Sequence, residues 1–67
     1  MTPEQITKAR QKLGLTLEQF ATLLGYEGEA RRQMVYDLET GRRRVRPPQA
    51  RLVRAYLDGY RPRDWPL

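Results

Sequence analysis

The chain has 67 residues, a net charge of +5, and neither cysteine nor histidine. Those absences exclude disulfides and zinc–thiolate sites and remove the commonest general base and metal ligand, while the length allows one small core of marginal stability. Its apolar runs are too short to span a membrane and its N-terminus lacks a signal-peptide pattern, so a cytoplasmic protein is expected.

Glycine and proline divide the rest into four helical stretches, with no strand pattern and no repeat. Thr2 is a good N-cap, Pro3 suits the first helical position and Gln5 completes a capping box. Ile6, Ala9 and Leu13 then fall on one face, and Gly14 ends the helix. Thr16 opens the second helix, again with a glutamine, Gln19, placed to close the box. Leu17, Phe20, Ala21 and Leu24 follow helical spacing up to Gly25. A third helix is expected to begin near Gly28 or Glu29 and to reach Thr40, with Ala30, Met34, Val35 and Leu38 on its apolar face and Gly41 past its end. The segment "RRRVRPP" reads as an extended connector, because a residue before proline is biased away from helix. Pro48 then opens a fourth helix, with Leu52, Val53, Tyr56 and Leu57 inward and Gly59 as its stop. Residues 1–59 make the expected domain, and residues 60–67 a tail that covers the core or contacts a second copy.

Charge is divided unevenly along this chain. Residues 31–67 hold ten arginines against four acids, and Arg42 to Arg54 includes six arginines and no acid. A basic stripe on so small a domain points to a polyanion, nucleic acid before an anionic membrane surface. Arginine strengthens that reading, since its planar fork suits phosphate and guanine.

The stretches "LGLTLEQFATLLGY" and "VYDLETGRRR" resemble the Cro/C1-type helix-turn-helix family, also called lambda-repressor-like or XRE. The resemblance is carried by Leu13-Gly14-Leu15-Thr16, Ala21, Leu24-Gly25, Leu38-Glu39-Thr40-Gly41 and Arg42-Arg43. It implies a compact all-α, four-helix, lambda-repressor-like domain whose third helix enters the major groove of double-stranded DNA. Two departures stand out. Leu17 occupies the place where the family usually has a phosphate-holding glutamine, so that contact is lost or moved to Thr16 or Gln19. The spacing from Gly25 to Gly41 is also roughly four residues longer than usual, about one helical turn. The segment "YEGE" therefore either lengthens the recognition helix or enlarges the turn.

Counting back from Gly41, the resemblance gives base-contacting roles to Arg32, Gln33 and Asp37, with Arg31 and Tyr36 flanking them. Arg32 suits guanine O6 and N7, and Gln33 suits adenine N6 and N7. Asp37 either accepts from cytosine N4 or orients an arginine, and Met34 either touches a thymine methyl or packs against the turn. Thr40, Arg42, Arg43, Arg44 and Arg46 are the phosphate contacts, joined by Thr16 and Gln19. Glu39 either reaches back toward the second helix or pairs with an arginine. Tyr56, Tyr60, Trp65 and Leu67 are the candidate dimer contacts. The implied function is a homodimeric repressor on a palindromic operator, phage-like or from a mobile element, nucleoid-associated when bound, and acting on its own operon. No catalytic residue, metal, cofactor or small-molecule effector is expected. The competing reading is a protein-interaction module, such as an antitoxin or a small phage inhibitor of a host protein.

Overall fold

A computed structural model describes residues 1–66. Four helices follow in order: α1 over Pro3–Leu13, α2 over Leu17–Leu23, α3 over Arg31–Thr40 and α4 over Pro47–Leu57. Among the described residues there is no strand. Helix α3 packs against both α2 and α1, and α4 packs against α1.

Local chemistry accounts for most helix ends. The Thr2 hydroxyl accepts from the Gln5 amide at 3.2 Å while the Gln5 side chain accepts from the Thr2 amide at 2.8 Å, which satisfies two of the donors that start α1. Thr16 and Gln19 repeat the arrangement at α2, at 3.1 and 3.0 Å. At the far end of α1, the amides of Gly14 and Leu15 return to the carbonyls of Gln11 and Arg10. Gly25 and Tyr26 do the same to Thr22 and Ala21 after α2, and Gly59 and Tyr60 to Tyr56 and Ala55 after α4. These are three Schellman closures on glycine.

Helix α3 differs at both ends. It begins at Arg31, later than the sequence suggested. Its N-cap is Ala30, no side chain caps it, and its first turn contains no acid. Ala30 is exposed and so does not belong to an apolar face. The segment "YEGE" is loop rather than an added helical turn. Gly25 and Gly28, with φ of 92° and 88°, turn the chain through left-handed conformations that end α2 and keep α3 from starting early. At the exit, the return bond to the Asp37 carbonyl comes from Arg43, at 3.1 Å. Helix α4 also starts one residue earlier than expected, at Pro47, with the Gln49 side chain accepting from the Arg46 amide at 3.1 Å.

The core contains Ile6, Phe20, Val35, Leu38 and Val53, all fully buried, with Ala9, Leu15, Leu23, Leu24, Ala50 and Tyr56 around them. Ala21 is fully buried too, and its methyl lets α2 lie close against α3. Leu15, Leu23 and Ala50 join this core without having stood out in the helical pattern. A partly buried polar joint borders it and ties α1 to α3. Arg10 of α1 donates from Nε to Glu39 Oε2 at 2.6 Å and from Nη2 to Oε1 at 3.2 Å. Its Nη1 reaches the Leu15 carbonyl at 3.2 Å, and Thr7 Oγ1 donates to Glu39 at 3.1 Å. The two charged side chains are only 20% and 10% exposed, so the ion pair is weakly screened. Glu39 therefore pairs with an arginine of α1 and does not reach back to α2.

Tyr56 is a correction to the surface contacts expected from sequence. It lies inside the core, with its hydroxyl donating to the Leu23 carbonyl at 2.8 Å. Burial, then the nearby Tyr60 and Asp64, hold its phenol above the ordinary tyrosine range. The tail returns onto it: Trp65 packs against Tyr56 with ring centroids 5.1 Å apart, and the Arg61 guanidinium sits 4.2 Å from the Trp65 ring centre. Tyr60 also stacks on Tyr56, with ring centroids 6.0 Å apart, and stays 54% exposed. Leu67 lies outside the described residues.

Candidate nucleic-acid interface

The sequence-predicted residues fall into three states. Arg32 and Tyr36, one turn apart on α3, are exposed, and the Tyr36 side chain is 47% accessible. Gln33 is exposed as well, but its Nε2 donates to Asp37 Oδ1 at 2.9 Å, so those two act as a pair. Asp37 is half-buried and orients a glutamine, whereas the sequence had suggested an arginine or a base. Arg31 is engaged with its own domain. Its Nη1 donates to the Gly28 carbonyl at 2.9 Å, and its Nη2 lies 3.7 Å from Glu18. The guanidinium thus ties the loop and α2 to the start of α3, and in this conformation does not project with Arg32.

Residues expected to hold phosphates divide similarly. Thr16 and Gln19 hold the capping box of α2. The Thr40 hydroxyl donates back to the Tyr36 carbonyl at 3.0 Å. Arg42, Arg43, Arg44 and Arg46 are exposed, and none forms an ion pair among the described residues. These four positive charges follow the C-terminus of α3 and are open to an outside anion. At the other end, Arg31 and Arg32 stand in the first turn, where the helix dipole is already positive. Both ends of α3 therefore carry arginine, and the exposed face between them presents Arg32, Gln33, Tyr36 and Thr40.

Two shallow depressions meet at Arg32. One is lined by Thr16, Leu17 and Glu18, the other by Leu17, Glu29, Gln33 and Tyr36. In the sequence Leu17 belonged to the apolar face of α2 and stood where a glutamine was expected; its place beside Arg32 and Tyr36 depends on how α2 crosses α3. Arg10 was likewise silent in the sequence, since its partner lies 29 residues away. No group of three or more potential metal ligands occurs among the described residues. Nor is any described helix long and apolar enough to cross a membrane.

Two helices joined by a glycine turn, the second presenting arginine and glutamine outward between basic ends, define a helix-turn-helix DNA-binding domain. The helix-turn-helix family model matches residues 6–65. The chain belongs to the Cro/C1-type, XRE helix-turn-helix family, whose members are DNA-binding transcription regulators and not typically enzymes. Neither a search of curated proteins nor one of solved structures found a match.

Proposed function

We propose that this regulator is a sequence-specific repressor that binds a palindromic operator as a homodimer and controls its own operon. The observation that carries the reading is the exposed Arg32 on the outer face of α3, with the exposed strap Arg42, Arg43, Arg44 and Arg46, without ion pairs among the described residues, at that helix's exit. Arg32 reads a guanine edge, and the strap fixes register on the phosphates. Gln33, held by Asp37, presents its remaining amide atoms to a neighbouring base. Residues 1–59 form the binding domain. The exposed Tyr60 and the half-buried Trp65 in the tail offer the contact to a second copy. A dimer would place its two α3 helices on half-sites roughly 34 Å apart, one turn of DNA. The protein would act in the cytoplasm, on the nucleoid.

A gel-shift titration with DNA from upstream of its own gene tests this directly, with a scrambled duplex of equal length beside it. Specific retardation of the upstream duplex is expected, and equal affinity for both would refute the reading. Within that assay, Arg32→Ala should cost roughly 1–3 kcal/mol on the specific duplex and relax the preference at one base pair. Arg43→Ala should instead weaken both duplexes alike and lower the salt slope by about one.

A further inference from the structure

Electrostatics leaves one part of this surface unexplained. Arg32 shares a depression with two side chains that bring carbon to the face rather than charge. Leu17, the first residue of α2, is half-buried: part of it rests on the core, and it also lines both depressions beside Arg32. Tyr36 closes the second depression, exposed, with no ring partner and no bond to its hydroxyl among the described residues. Where the family usually places a glutamine that holds a phosphate, this chain has a side chain that cannot hydrogen-bond at all. Glu18 and Glu29 line the same depressions. With Arg32 lining both depressions and Arg31 beside Glu18, these acids offset the arginines' charge, which leaves no positive excess here for a phosphate and suits a neutral base edge.

The major groove offers one apolar group on the standard bases, the C5 methyl of thymine. We propose that Leu17 and Tyr36 form an apolar shelf that reads a thymine methyl on the base pair next to the guanine held by Arg32. The inference rests on α3 being the helix in the major groove. Leu17 and Tyr36 thereby act as specificity residues, and the preferred site contains a thymine adjacent to a guanine. Met34, the sequence candidate for such a contact, lines neither depression.

The test removes only the methyl. The full chain is used to select duplexes from two random libraries, one made with thymine and one with deoxyuridine. The winning duplex is then measured with thymine, and again with uracil, at each position next to a selected guanine. Wild type should lose roughly three- to fivefold in affinity at one such position, the size expected for one methyl taken out of water. In Tyr36→Ala and Leu17→Gln, each checked for folding by circular dichroism, the two duplexes should bind equally. Tyr36 is exposed, so its variant keeps the test alive if the Leu17 variant fails to fold. Equal wild-type affinity for thymine and uracil would overturn the shelf and leave sequence-specific binding standing. Undiminished discrimination in a folded Tyr36→Ala would overturn it as well. Enrichment of no sequence from either library would remove the DNA reading itself, and the shelf with it.

Discussion

Helices α2 and α3 are the two halves of one motif, and they are stabilised in different ways. Helix α2 carries its instructions with it: a capping box at Thr16 and Gln19, Glu18 in its first turn, and a Schellman closure on Gly25. Helix α3 has an alanine at its N-cap, two arginines where the dipole is already positive, and an exit closed by Arg43. Cations in that first turn cost about 0.3–1 kcal/mol each when nothing anionic is near. What holds α3 is tertiary: Val35 and Leu38 in the core, and Glu39 clamped by Arg10. The proposed recognition helix has given up local stability at its ends, and the rest of the domain replaces it through packing.

That contrast can be broken by substitution. The largest effect belongs to the joint. Glu39→Ala removes three accepted hydrogen bonds and strands the Arg10 guanidinium, so urea titration should show a loss of about 2–3 kcal/mol. A loss no larger than that of an exposed ion pair would mean α3 stands without its clamp. Next comes the local instruction of α2. Thr16→Ala should cost about 1 kcal/mol in the same titration, and an unchanged midpoint would show that packing alone makes that helix. A smaller change of opposite sign is expected at α3. Arg32→Ala should leave stability unaltered or raise it by up to about 0.5 kcal/mol, because it removes a cation from a positive helix end. Clear destabilisation there would show that Arg32 serves the fold.

The smallest effect is one of pH. The Tyr56 phenol titrates higher in the folded chain than in the unfolded one, so the folded state keeps its proton longer. Stability from this group is complete below about pH 10, the unfolded value, and falls as pH rises through the folded value. Urea midpoints followed between neutral and strongly alkaline pH should show this decline, and Tyr56→Phe should remove its share of the slope. That variant should also start about 1 kcal/mol lower, having lost the bond to the Leu23 carbonyl.

The same contrast explains what could be read in the sequence. The caps at Thr2 and Thr16, the stops at Gly14 and Gly25, and the buried pair Val35 and Leu38 were legible because each depends on residues within a turn of one another. The start of α3 was not. The expected start near Gly28 or Glu29 failed because Gly28 takes a left-handed turn and leaves both residues in the loop. Arg10 gave no sign of its role, since a guanidinium finds Glu39 only after α1 and α3 have packed. The tail had no periodicity to read, yet Trp65 packs on Tyr56 and Arg61 on Trp65 through contacts that no spacing rule encodes. Of the proposed interface, the outward place of Arg32 on α3 follows from counting back from Gly41, and the strap is the arginine run just after it. The engagement of Arg31 with Gly28 and Glu18 needed the loop to be known first.

The loop between Gly25 and Arg31 has a consequence for comparing this chain with its relatives. Because the added length is held outside α3, the helix keeps its phase relative to Gly41. An alignment that spreads the gap into α3 would rotate every outward residue onto the wrong face. Placed wholly in the loop, the gap leaves Arg32, Gln33 and Tyr36 comparable position by position with shorter members of the family. A change of length confined to this loop would leave the register of α3 relative to Gly41 unchanged.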